Sequence, residues 1–170
     1  MTKYIEVKLE KRNVTCIAEL LEEDAPLTCQ AVWDALPMGS HAYHAKYASN
    51  EVYFLVPPFA PEEVGRENAT VMPIPRDICY FYVPKGSKVP PDMKEQGRKT
   101  GLVDIAVFYG RDNYLHAPDG HFPGNVFATI VENFHEFAAA CQDVWRNGHV
   151  GETMSIRKLE NYESKEKRYY

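Results

Sequence analysis

Seven side chains in this sequence have the means for acid–base and hydrogen-bond chemistry: His44, Glu51, Tyr53, Glu67, Asn68, Tyr109 and Asn125. A neutral imidazole with a pKa near ~6.5 takes up a proton at neutral pH, and a carboxylate beside it fixes its orientation. His44 with Glu67 or Glu51 would make such a base. The amides of Asn68 and Asn125 can donate to a developing oxyanion, and Tyr53 and Tyr109 can hold a compact ligand by ring and hydroxyl. Converging in one place, these groups would suit proton abstraction or hydrolysis on a small polar amide or carboxylate. Each also has a plainer role. His44 can be a hydrogen-bonded sheet residue, Glu67-Asn68 a turn that bonds its own backbone, Asn125 a strand-entry residue, and the two tyrosines wall residues.

The other histidines are less promising. On a strand His41 and His44, three apart, point to opposite faces and cannot grip one ion. His116 and His121 share the loop "LHAPDGHF" with Asp119, a trio whose spacing matches no established zinc pattern. His135 and His149 read as solvent-exposed. Cys16, Cys29, Cys79 and Cys141 are scattered in apolar runs with no CxxC pair, which predicts buried free thiols. No metal and no cofactor are expected. No nucleophile is signalled, since Cys29 falls on the apolar face of a helix and no G-x-S-x-G elbow exists.

These residues need a scaffold, and 170 residues with 45% hydrophobic content can bury one core. One domain over 1–160 and a charged tail over 161–170 are expected. The net charge of −5 argues against a nucleic-acid partner. No run approaches the ~20 apolar residues needed to span a bilayer, so a cytoplasmic protein without a membrane partner is expected. Eleven tyrosines favour self-association, because aromatic residues are enriched at interfaces.

YIEVKLE (4–10) and TCIAEL (15–20) alternate as a strand pair. Ala25, Cys29, Val32, Trp33 and Leu36 trace one helical face, with Asp24 able to cap it, Pro26 in the first turn and Pro37 ending it. HAYHAKYA (41–48) and EVYFLVP (51–57) read as strands about Ser49-Asn50. Residues 57–77 are mostly loop, with a short strand near 69–72. ICYFYV (78–83) and LVDIAVFYG (102–110) are strands, and 84–101 reads as a long surface loop. "NVFATIV" has the β-branched and aromatic character of a strand, while "ENFHEFAAACQDVWRNG" is helical with Asn147-Gly148 as its stop. ETMSIRKLE (152–160) closes the series. One helix early, one late and many strands between predict a closed or nearly closed antiparallel sheet with helices at its ends.

"APLTCQAVWDAL" resembles the first helix of the cyclophilins. "DGHFPGNVFATIVENFHEFAAAC" resembles their late strand running straight into a helix, and "TMSIRKLE" their closing strand. The chain is more closely similar to a bacterial family of small cyclophilin-like proteins of unknown function. It carries that pattern as Ala25-Pro26-Leu27-Thr28-Cys29, Leu36-Pro37, His44-Ala45, Glu67-Asn68, Tyr109-Gly110 and Asn125, over most of residues 2–160. The resemblance implies a mainly β fold with two α-helices, a cyclophilin-like closed β-barrel. It would place the hairpin, the 57–77 loop and the region before Val126 around one barrel mouth. Prolyl isomerases of this fold carry an F-H-R strand and a Q-G-G-D turn. "AYHAKYASNEVYF" has no arginine there, so the handle for lowering a barrier of ~18–20 kcal/mol is missing. Two functions are then open. One is a site for a small polar metabolite at the barrel mouth, with His44, Glu51 and Glu67 as acid–base groups and Tyr53, Asn68, Tyr109 and Asn125 as contacts. The other is a protein- or peptide-binding module built on a degenerate cyclophilin groove.

Overall fold

The structure is a computed structural model and describes residues 1–164. Residues 165–170, most of the expected tail, lie outside the described residues. Twelve strands and three α-helices are present among those described.

β1 (Tyr4–Leu9) and β2 (Val14–Leu20) form a hairpin whose buried residues alternate, as a half-buried ladder requires. α1 (Pro26–Ala35) buries Thr28, Cys29 and Val32. β3 (Met38–His41) and β4 (Tyr43–His44) follow, then β5 (Glu51–Val56), β6 (Ala69–Thr70) and β7 (Asp77–Val83). A 3-10 turn at Pro91–Met93 leads into α2 (Lys94–Thr100), then β8 (Leu102–Phe108). β9 (His116–Ala117) and β10 (Gly120–His121) make a separate small hairpin. β11 (Gly124–Glu132) runs into α3 (Phe134–Asn147), and β12 (Thr153–Leu159) ends the series.

The main sheet has the order β3-β12-β1-β2-β11-β7-β8-β5-β4, with β6 on the flank of β11. All its pairings are antiparallel. Two expectations need correction. The segment 84–101 is not all loop: it holds α2, so there are three α-helices, not two. Lys94, Glu95, Gln96, Arg98 and Lys99 are good helix formers, and Gly97 is buried between Val89 and Leu102, but the prolines and glycines around them obscure the pattern. The sheet is also not a closed barrel. No ladder joins β3 to β4 or β5. The two ends pack against each other, β3 beside β5, and Ala42 between β3 and β4 donates its amide to the Glu152 carbonyl at 3.0 Å, extending the β3–β12 pairing.

One face of the sheet carries Ile5, Val7, Val52, Phe54, Ile105, Val107 and Phe127, and packs on α1 and α3 through Cys29, Val32, Phe137 and Cys141. The opposite face of β5, β7 and β8 carries its own apolar groups. Cys79, Phe81, Ala106 and Phe108 lie under Leu115, while Leu55, Val83 and Leu102 lie under Val89 and Met93. Both faces of these strands are therefore covered, which explains the near-continuous apolar run of β7.

Candidate functional site

Helix α1 begins without a side-chain cap of its own. Ala25 occupies the cap position, and Asp24 does not cap the helix. Glu67 supplies the cap from across the structure. Its Oε1 accepts the Leu27 amide at 3.0 Å, and its Oε2 accepts the Thr28 amide and hydroxyl, both at 2.7 Å. Burial pushes this carboxyl up, but the bonds from Thr28 and Leu27 outweigh it and hold the pKa below the ordinary value. Asn125, 4% exposed, donates to Thr28 Oγ1 and the Gly65 carbonyl and accepts the Glu67 amide. The Asn68 side chain donates to the Val126 carbonyl. Glu67, Asn68 and Asn125 thus form a satisfied network that ties the proline-rich loop to α1 and β11.

His44 and Tyr109 form a second, separate pair. A carbonyl oxygen only accepts, so His44 Nδ1–H donates to Ala45 at 2.9 Å, and Nε2 accepts the Tyr109 hydroxyl at 2.6 Å. Both ring nitrogens are occupied. Burial lowers the His44 pKa, against the Ala45 bond that raises it, and His149 lowers it further. Burial, then the nearby Cys141, raises Tyr109 to about 12.

Glu51 and Tyr53 lie elsewhere. His44 is in register with Val52, so the two neighbours of Val52 on β5 point to the other face. There Glu51, Tyr53, Phe81 and Asp104 line an open cavity of about 170 Å3, bordered by residues 45–48 on one side and the β9–β10 hairpin on the other. Register sets Glu51 opposite Phe108, Tyr53 opposite Ala106 and Leu55 opposite Asp104. The two carboxyls therefore flank the Tyr53–Ala106 pair on one face. Asp104 and Tyr53 also line an adjoining groove of about 380 Å3 that runs past Leu55, Val83, Val89 and Pro90.

The electrostatics of this cavity set it apart. Glu51 is 6% exposed, and no hydrogen bond or ion pair to its carboxyl exists among the described residues. Asp104 Oδ1 is buried and has no hydrogen-bond partner. Burial raises Glu51 to about 8. Burial, and then the charge of Glu51, raises Asp104 well above the carboxylate range. Burial followed by Asp104 and Glu51 raises Tyr53 as well. The same molecule satisfies a structural buried carboxyl differently. Glu152, wholly buried, accepts the Lys11 and Arg12 amides and pairs with the Arg12 guanidinium at 2.8 Å. Glu51 and Asp104 have no such support, and uncompensated buried carboxyls concentrate at functional sites.

The roof is held from below. Buried Asn113 accepts the Asn50 amide and donates to the Pro73 and Gly110 carbonyls. The Leu115 amide bonds the Val71 carbonyl, and the Phe122 amide bonds Leu115. Phe122 stacks on Phe81 with ring centroids 5.4 Å apart. Asp104 and Asn113 were not among the residues the sequence singled out. A lone aspartate in the apolar run LVDIAVF is the signal that marks Asp104; Asn113 in a polar loop has none.

The chain is thus a β-rich protein with one large antiparallel sheet, three helices and a carboxyl-lined cavity on the sheet face away from α1 and α3. It belongs to the family described as "Protein of unknown function (DUF3830)", whose model matches residues 7–156. Among solved structures it is similar to McbB, determined in complex with tryptophan, with a TM-score of 0.60 and 18% identity. That match covers 94% of this chain and 46% of McbB, so the chain spans less than half the length of this relative. It is also similar to the hypothetical protein AF2241 from Archaeoglobus fulgidus, with a TM-score of 0.48, 21% identity, and 93% and 95% of the two chains covered. No curated protein matches the sequence. No helix among the described residues is long and apolar enough to cross a membrane.

Proposed function

We propose that this protein binds a small polar molecule in the cavity beneath the β9–β10 hairpin and exchanges a proton with it through Glu51 and Asp104. The observation that carries the reading is a pair of carboxyls facing one cavity, buried Glu51 and half-buried Asp104 with its Oδ1 buried, that have neither counter-ion nor full hydrogen bonding among the described residues. A carboxyl raised to about 8 is matched to proton transfer near neutral pH, where it can give up a proton and take it back. Asp104 supplies the second acid group, and Tyr53 stands between them as a ring and hydroxyl contact. His44, Glu67, Asn68, Tyr109 and Asn125 act in this reading as positioning and structural groups, because their polar atoms are already engaged.

McbB holds tryptophan in its complex; for this chain, the ligand class rests on its own cavity. The fold reading is cyclophilin-like, supported by a sheet whose two ends, β3 and β5, pack against each other. Cytoplasmic residence and self-association belong to the same proposal, the latter checked by light scattering. A peptide groove is the weaker reading, since an extended peptide offers nothing to buried carboxyls.

The test is a thermal-shift screen of polar amides, carboxylates, amines and nucleobases against the protein and its Glu51→Gln and Asp104→Asn variants. A ligand at ~100 times its Kd adds ~2.7 kcal/mol, a shift of several degrees. A hit abolished by both substitutions supports the site. Hits that survive both, or none across the panel, overturn it.

A further inference from the structure

We infer that the ligand of this cavity is an organic ammonium ion with an apolar tail, its charged nitrogen lodged between Glu51 and Asp104 and its tail lying along the adjoining groove. The inference rests on the reading of the cavity as a small-molecule site and adds its chemical class.

Four observations converge. First, buried Glu51 and half-buried Asp104, its Oδ1 buried, share the cavity and lack a cation: Lys46 stands exposed at the mouth and, among the described residues, makes no ion pair with either. A bound cation supplies the missing charge to both at once. Second, the walls are aromatic. Tyr47, Tyr53, Phe81 and Phe122 surround the carboxyls, and the electron-rich faces of such rings attract ammonium groups. Third, the cavity opens through Tyr53, Asp104 and Phe122 into the groove, where Leu55, Val83, Val89 and Pro90 offer an apolar channel. A ligand that is charged at one end and apolar at the other fits both compartments. Fourth, the groove brings little net charge to compete, since Lys88 and Asp119 pair with each other at 3.6 Å.

Binding is then linked to protons. The cation favours the ionised carboxyls, so its entry drives protons off Glu51 and Asp104. The other titratable groups facing the site are Tyr53 from β5, Cys79 from β7, Lys46 from the 45–48 segment, and His116, Asp119 and His121 from the hairpin, with Lys88 across the groove. The two histidines are exposed.

The experiment is isothermal titration of the full chain with n-hexylammonium, methylammonium, hexan-1-ol and hexanoate, at pH 6 and pH 8.5 and in buffers of different ionisation enthalpy. The inference expects hexylammonium to bind at least tenfold tighter than the alcohol, the carboxylate or methylammonium. It expects proton release, tighter binding at pH 8.5, and at least a tenfold loss in Glu51→Gln and in Asp104→Asn. Hexan-1-ol or hexanoate binding as tightly as hexylammonium, with that binding lost in the variants, keeps the site and overturns the ammonium class. Hexylammonium binding unchanged in both variants, or not binding at all, also overturns it. Carbon-13 NMR titration of the two carboxyls separates the parent reading. Ordinary carboxylate titration of both would sink the acid–base site itself, whatever the probes do.

Discussion

Glu51 and Glu67 show how the same side chain acquires opposite properties from its surroundings. Glu67 accepts three hydrogen bonds and is held ionised, whereas Glu51 accepts none and is held protonated. In the unfolded chain Glu51 loses its proton near 4.5, but in the folded protein it keeps it up to about 8. Between those values the folded state binds more protons than the unfolded state, so its stability falls as pH rises. Glu51→Gln removes the share of that slope that Glu51 contributes and leaves the share of Asp104. Between pH 5 and pH 8 the variant should gain on the parent by roughly 3–4 kcal/mol. Urea unfolding at the two pH values checks this, and a parallel pH dependence in parent and variant would refute the burial of an unpartnered carboxyl.

The α1 helix depends on a cap that comes from forty residues away in sequence. Asp24 is the nearby candidate by residue type, yet the chain turns through Ala25 and Pro26 and leaves the Leu27 and Thr28 amides to Glu67. Glu67→Ala should therefore cost about 1–2 kcal/mol, as loss of a helix cap does. That penalty should shrink at pH 3, because protonating Glu67 in the parent weakens the same bonds. Chemical denaturation at pH 7 and pH 3 measures both arms. The hairpin over the cavity is likewise held by remote partners, Asn113 against Pro73 and Asn50, and Leu115 against Val71. Gly124 fits this packing for a specific reason: a Cβ there would lie 2.6 Å from the Phe81 ring, the wall shared with Phe122.

Across the molecule, both faces of β5, β7 and β8 are buried, and all four thiols lie within that packing. Burial raises every one of them, Cys29 to about 12. Reaction with an aromatic disulfide reagent should be slow in the native protein and accelerate for all four cysteines together across the unfolding transition. One thiol that reacts at once in the native state would show that part of this packing is open. The joined ends of the sheet also make His44 and Tyr109 part of one end of the core, with Tyr43 packed on His149 nearby.

The strands, both long helices and the buried thiols were legible because periodicity and local composition determine which backbone groups pair and which side chains leave water. "NVFATIV" followed by "ENFHEFAAAC" shows its change from strand to helix in its own residues, and β11 and α3 divide there. Helix α2 was hidden because its neighbouring prolines and glycines signal a loop. The candidate residues were legible by type, but not by company. Whether Glu51 meets His44 or Asp104 depends on strand register, and one residue's step along β5 sends a side chain to the other face. Asp104 becomes a partner of Glu51 only when β8 pairs with β5 and the distant β9–β10 hairpin walls the cavity they share. Most of the elements and their apolar faces, α2 and the β9–β10 hairpin apart, follow from neighbours a few residues away. Only the tertiary structure decided the site, because the desolvation that gives these two carboxyls their chemistry comes from segments far apart in the chain.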